Sequence, residues 1–326
     1  GASWVWAVTS CSPSPWSGAL PWSGTAPVAA GAPCPSTSPL PPVAAGVGGA
    51  SAEGGGGGLG ACALDGRGEE GASPAAAMRT RLQDNAIVDD GRFSDRTLHL
   101  ARQADITVAL VGEHPSRSGE ANSVTHIGLP TGQLEVLRTI AAIGKPLVIV
   151  VFTGRPLDLG EVLELADAVL IVWHPGVEAG PALIETLFGD RSPGGRLPMT
   201  FPRSVGHLPS SSLARPTGRP IEAADDPARG RYLEALVVPQ LPFGWGLTYT
   251  SFSYGPLRLS ALEMHMHGGS IEARVDVTNS GSRPGREVVQ LYLRDLLADV
   301  TRPLRELADW VSLELAAGET GTATFT

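Results

Sequence analysis

Three apolar runs, ITVALVG (106–112), PLVIVVF (146–152) and AVLIVWHPG (168–176), each lead into a segment dense in polar and charged side chains. After the first come Glu113, His114, Arg117 and Glu120; after the second, Arg155 and Asp158; around the end of the third, His174 and Glu178. If the runs are parallel strands of an open sheet, these segments lie beyond their C-terminal ends, where such sheets bind ligands. Carboxylates on a rim of this kind suit acid/base cleavage of a glycosidic bond. One protonated carboxyl gives its proton to the leaving oxygen, and a second attacks or stabilises the anomeric carbon. A loop glutamate serves equally well as a solvated charge or a helix-capping partner, so spacing alone leaves both readings of Glu120 open.

Other chemistries find less support. His114, His126 and His174 are far apart in sequence, and no HxxxH or Cys/His pairing occurs, so no metal is expected. There is no GxSxG elbow and no GxGxxG at the first run, and the glycine run 54–58 is not followed by GK[ST]. No organic cofactor is expected either. The 24 basic and 33 acidic residues give a net charge of -9 without a basic stripe, which argues against nucleic acid as a partner. Cys11, Cys34 and Cys62 form neither a metal motif nor a disulfide framework. No apolar run reaches the roughly 18 residues a membrane span needs, so a soluble protein without a membrane partner is expected. The opening GASWVWAVTS has no Met and no basic flank, the first basic residue being Arg67, so it does not read as a signal peptide. Periplasmic, secreted and cytoplasmic locations all stay open.

The elements that must hold the polar segments follow from periodicity. Phe93, Thr97, Leu100, Ala101 and Ala104 fall at helical spacing just before the first run. Leu134, Leu137, Ile140 and Ala141 repeat that pattern before the second, with Gly144 as terminator, and Leu183, Ile184 and Leu187 repeat it after the third. Strands apolar on both faces that alternate with amphipathic helices predict a mostly parallel α/β sandwich. Residues 190–250, rich in Pro, Gly and Ser, read as surface connections. Beyond them the period becomes two: Ile271, Ala273, Val275 and Val277 alternate with polar residues, as do Val289, Leu291 and Leu293. A small antiparallel sandwich is expected there, its last strand, TATFT, still in progress at the chain end. The expected organisation is therefore a low-complexity segment over 1–77, poorly ordered or aberrant, with no assigned structure, an α/β domain over 78–248 and an all-β domain over 249–326.

Four strings in order carry a family resemblance: SGEANS followed by IGLP (118–130), GKPLVIVVFTGRPL (144–157), WHPGVEAGPALIETLFGDRSPGGRLPMTFPRSVGHLP (173–209) and LPFGWGLTYTSFSY (241–254). The chain from about 88 onward resembles the C-terminal half of family 3 glycoside hydrolases of bacterial β-glucosidase type. VTNSGSRPGREVVQLYLRD and VTRPLRELADW resemble the fibronectin type III-like domain, an immunoglobulin-like sandwich, that closes many members. LPWSG (20–24) resembles a short family string, and a frameshift or faulty translation is one reading of the poorly matching residues 25–80.

The resemblance implies a retaining β-glycosidase acting on a β-linked oligosaccharide or glucoside, with an active site between this half and an N-terminal (β/α)8 barrel that supplies the nucleophilic Asp. It places the acid/base role on Glu120; Glu113, nearer the strand end, is the competing candidate, with anchoring of the loop as its other reading. Trp173 is a candidate for lining the substrate cleft, beside a structural role in the turn it shares with Pro175 and Gly176. Phe243, Gly244 and Trp245 are expected to pack the two domains together. Close family members follow SGEA with an Arg and then an Asp, where this chain has Val124 and His126, which removes a charge-assisted link from the loop. Without a barrel the chain on its own is expected to be inactive. A non-catalytic carbohydrate-binding or scaffold fragment and a nucleotide-binding α/β domain are the rival readings.

Overall fold

The computed structural model describes residues 43–45, 73–88, 94–114, 117–215, 232–265, 268–296 and 299–326, with 43–45 and 85–88 given by their backbone. The three cysteines, Arg67, the glycine run and the LPWSG string lie outside the described residues.

The α/β unit is built on five parallel strands: β1 (Val43–Ala45), β2 (Ala86–Val88), β3 (Ile106–Gly112), β4 (Leu147–Phe152) and β5 (Ala168–Ile171), in the order β2-β1-β3-β4-β5. Five α-helices accompany them: α1 (Pro74–Leu82), α2 (Asp95–Gln103), α3 (Gln133–Ala141), α4 (Gly160–Leu165) and α5 (Ala179–Leu187). Because successive strand residues point to opposite faces, one set (Val108, Leu110, Val150, Phe152, Leu170) packs with Met78, Leu82, Leu183 and Ile184 of α1 and α5. The alternate set (Ala109, Val111, Ile149, Val151, Val169, Ile171) packs with Leu137 and Ile140 of α3 and Val162 of α4. Burying each such branched side chain contributes about 1.5–3 kcal/mol, and the sheet is covered on both faces as its sequence requires.

Local chemistry sets the helix ends. Ser73 accepts the Ala76 N–H at 3.1 Å and Pro74 opens α1. Thr97 accepts the Ser94 N–H at 3.2 Å at the start of α2. At the other end of α2, Lys145 Nζ donates to the carbonyls of Arg102 and Ala104 at 2.7 and 2.6 Å, placing a cation where the helix leaves acceptors unmet.

Three features depart from the expectations drawn from the sequence. β1 lies within residues 1–77, where no structure was assigned: Val-Ala-Ala is too short to show a period, and its strand conformation is fixed by its two neighbours. α1 also crosses the boundary drawn at 77. The third apolar run ends as a strand at Ile171, because the chain turns at Trp173, which has φ 48°.

The C-terminal unit is all-β. Strands β6 (Phe252–Tyr254), β7 (Arg258–Leu259), β8 (Ala273–Asn279) and β11 (Thr320–Phe325) form one sheet and β9 (Gly285–Leu293) pairs with β10 (Glu306–Leu315) in the other, all antiparallel. Val275, Val277, Val289, Leu315 and Phe325 fill the space between them. Asn279, fully buried, staples the β8–β9 turn by accepting from Thr250 Oγ1 at 2.6 Å and donating to the carbonyls of Arg283 and Leu315 at 2.8 and 3.0 Å.

The two units meet along β9. The Arg196 guanidinium donates to the Gly246 carbonyl and pairs with the buried Glu287 carboxylate, which also accepts from the Tyr254 hydroxyl at 2.6 Å. Burial, reinforced by the Glu287 charge, pushes the Tyr254 hydroxyl up from its ordinary value. Gly194 lets the chain approach the Arg286 backbone, since an added Cβ would stand 3.1 Å from its carbonyl oxygen. Gly244 lies against the ends of the Gln290 and Tyr292 side chains, while Trp245 packs on the α/β core.

Candidate functional site

β3 ends at Gly112 with φ +138°, so close to β4 that a Cβ there would sit 1.8 Å from the Phe152 carbonyl oxygen. The buried Gln133 amide brackets this point: the Gly112 N–H donates to Oε1 at 2.8 Å, and Nε2 donates to the Gly112 carbonyl at 2.9 Å. The strand end is thereby fixed, and Glu113 follows it directly.

The Glu113 side chain is 1% exposed, and three groups surround it. Arg155 Nε donates to Oε2 at 3.1 Å and Arg117 Nε to Oε1 at 3.3 Å. Thr153 Oγ1 stands 3.2 Å from Oε2 and 2.7 Å from the Arg155 carbonyl oxygen, with one hydrogen for the two acceptors. A buried carboxylate is tolerable only when paired and hydrogen-bonded in this way. Arg155 also donates through its second nitrogen to the Arg117 carbonyl, so one guanidinium grips both ends of the segment leaving β3.

Ser118 comes next, buried against the loop after β4. A Cβ on Gly154 would lie 2.2 Å from Ser118 Oγ and 2.8 Å from His174 Nε2, so the loops after β3, β4 and β5 converge at this glycine. The chain then turns sharply. Gly119 (φ +116°) and Ala121 (φ 63°) flank Glu120, and Asn122 Nδ2 donates to the Ser118 carbonyl at 3.3 Å. Glu120 stands exposed on this turn, and its carboxylate has no hydrogen bond or ion pair among the described residues. Val124 is half-buried and His126 is exposed, its ring over Gly128.

The remaining sequence candidates separate. Trp173 is half-buried, edge-on to Phe201 with centroids 5.7 Å apart, and its Nε1 is buried without a hydrogen-bond acceptor among the described residues. Asp158 Oδ1 accepts the Gly160 N–H at 3.1 Å, which gives it a role at the start of α4. Glu178 and His114 are exposed at the loop rim. Thr153, Ser118 and Gln133 were not singled out from the sequence. Gln133 had no readable signal, because its role depends on where α3 crosses β3. Among the described residues no group of three or more His, Cys, Asp or Glu could hold a metal, and no helix is long and apolar enough to cross a membrane.

The arrangement is one exposed carboxylate on a turn, held from below by a buried ion cluster at the C-terminal rim of a parallel sheet. It can give or take a proton at that rim. Comparison with known proteins gives this geometry a context. The profile of the glycosyl hydrolase family 3 C-terminal domain matches residues 37–249, and that of the fibronectin type III-like domain matches 287–326. The periplasmic beta-glucosidase of Salmonella typhimurium is 41% identical over 250 residues, covering 75% of this chain and 32% of that protein. A beta-xylosidase of Formosa agariphila is 36% identical over 225 residues, covering 69% and 30%. The crystal structure of a beta-glucosidase from Listeria innocua in complex with glucose superposes with a TM-score of 0.79 at 31% identity, over 88% of this chain and 41% of that one. The chain spans about a third of the length of the curated relatives it matches.

Proposed function

The chain belongs to glycoside hydrolase family 3, and on that premise we propose that it is the C-terminal part of a retaining β-glycosidase, with Glu120 as its acid/base. The observation that carries the reading is the placement of Glu120: an exposed carboxylate on a sharply turned loop at the ligand-binding rim, free of any competing partner among the described residues. Relatives named as beta-glucosidases and beta-xylosidases support a substrate class of β-linked glucosides or xylosides.

The proposed reaction runs in two steps. An Asp from a preceding barrel domain attacks the anomeric carbon as the glycosidic C–O bond breaks, and protonated Glu120 gives its proton to the departing oxygen. The Glu120 carboxylate then takes a proton from water as that water displaces the enzyme ester with a second inversion. Trp173, half-buried at the turn after β5, is proposed to line the sugar cleft. The nucleophile belongs to the part of the enzyme not spanned here, so the 326-residue chain by itself is proposed to be inactive.

The test joins the chain to a family 3 barrel and compares aryl β-glucosides of different leaving-group quality. Proton donation matters most for a poor leaving group. Glu120→Gln should therefore lower kcat/KM on a phenyl glucoside by about 100-fold or more, and on a dinitrophenyl glucoside by less than about tenfold, in keeping with the usual size of general-acid catalysis. Equal losses on both substrates would remove Glu120 from the acid role. Turnover by the unjoined chain that survives Glu120→Gln would overturn both the inactivity and the assignment.

A further inference from the structure

We infer that Arg155, acting with Glu113 as a clamp, is a positioning residue for the loop that presents Glu120. The inference rests on the acid/base reading of Glu120 and goes beyond it, because the side-chain bonds of Glu113 and Arg155 go, among the described residues, to the loops that frame the turn and not to Glu120 itself. Its basis is a closed set of contacts. Among the described residues between Glu113 and Glu120, namely 113–114 and 117–120, no strand or α-helix holds the chain. Arg155, projecting from the loop after β4, binds the Glu113 carboxylate at the start of that stretch with Nε and the Arg117 carbonyl three residues before Glu120 with Nη2. A guanidinium can do both at once because its donors are fixed in one plane.

Thr153 orients the same pair from below, and the Arg155 backbone N–H donates to Thr153 Oγ1 at 3.1 Å, which fixes the arginine at its root. Ser118 then seats on Gly154, where only a hydrogen fits, so the chain is pinned two residues before the carboxylate. Beyond Glu120, Asn122 ties the turn back through the Ser118 and Gly119 carbonyls. The half-buried Val124 and exposed His126 offer no carboxylate–guanidinium pair on that side. The orientation of Glu120 is thus governed from its N-terminal side, through Arg155.

Amide hydrogen exchange of the 326-residue chain tests this, with residues 117–127 compared against β4 (147–152). Arg155→Met keeps the length of the side chain and removes its donors. It should speed exchange in 117–127 by about tenfold or more while β4 changes by less than about twofold, a local opening rather than a global one. Arg155→Lys should fail to restore protection, because a single ammonium does not reproduce the fork. The double variant Glu113→Gln/Arg155→Met should be no more exposed than Arg155→Met alone, since the pair acts as a unit.

Unchanged exchange in 117–127, full protection in Arg155→Lys, or equal acceleration of β4 would each overturn the clamp. If Arg155→Met does not fold, Glu113→Gln serves alone: it retains an acceptor of the same shape, and it should loosen 117–127 by a few-fold with β4 unmoved. No change at 117–127 in that variant would be equally decisive. None of these measurements needs turnover. Failure of the clamp leaves the leaving-group test of Glu120 standing, and failure of that test leaves the exchange result intact.

Discussion

Removing the Arg196 guanidinium should uncouple the two units at a calculable cost. Arg196 and Glu287 side chains are 19% and 7% exposed, so Arg196→Met leaves a carboxylate in a place that solvent scarcely reaches. Breaking a buried pair by deleting one partner typically costs roughly 3–5 kcal/mol. Glu287 keeps the Tyr254 hydroxyl as a donor at 2.6 Å, which argues for the lower end, about 3 kcal/mol. At about 2–4 °C per kcal/mol for a domain of 150–250 residues, the melting temperature should fall by roughly 6–12 °C. Thermal melts followed by both tryptophan fluorescence and far-ultraviolet circular dichroism read this directly. The companion variant Arg196→Met/Glu287→Gln removes the stranded charge while keeping an acceptor for Tyr254, so it should be more stable than Arg196→Met alone. A loss below about 1 kcal/mol for the single variant, the value of an ordinary surface pair, would refute the reasoning. So would a double variant as unstable as the sum of the two single ones.

Two further outcomes follow from local geometry. Gly112→Ala places a Cβ 1.8 Å from the Phe152 carbonyl oxygen in a backbone conformation side chains avoid, so it should cost more than about 4 kcal/mol and show as loss of soluble folded protein. Gly144→Ala, at φ +75° with nothing within 4 Å, is the control and should cost only about 1 kcal/mol. In the β-sandwich, hydrogen bonds from Arg258 and then Thr322 hold the Asp276 carboxyl down to about 2. A carboxyl lowered on folding contributes stability above its unfolded value, about 3.9, and loses it as pH falls toward 2. Asp276→Asn should therefore flatten the decline of melting temperature between pH 4 and pH 2, and an unaltered slope would exclude the pair as a source of acid sensitivity.

The sequence made some of this structure legible for reasons that can be named. The apolar runs of β3 and β4 are read correctly because a strand buried on both faces must be apolar throughout. Helices α2, α3 and α5 are visible because one face of each is apolar and the other is wet. The parallel α/β sheet, the C-terminal β-sandwich and the family all emerge from pattern and motif, and the structure and its relatives agree with them. Strand β1 is invisible because three residues hold no period and their conformation is imposed by partners remote in sequence. The short helix α4 goes unread, since its six residues hold fewer than two turns of any period. Of the rim residues, Arg155 and Glu113 announce themselves as charges, but their pairing depends on how far apart β3 and β4 end. That distance is set by Gly112 and by the Gln133 amide, and neither carries a sign of it in its neighbours.

The position of β1 has a consequence for how the protein can be cut. It is an interior strand, flanked on one side by β2 and on the other by β3, although it comes from a stretch whose composition gives no hint of it. A chain shortened to begin at Ser73 would keep every helix and every long strand among the described residues, yet it would leave the middle of the sheet with an open slot. β3 would then present a bare row of backbone donors and acceptors, and β2 would have nothing to pair with. Such a margin recruits whatever strand is at hand, including the same margin of another molecule. The few residues of β1 thus act as a seal between neighbours, and their removal should appear first as self-association, before any loss of helix content.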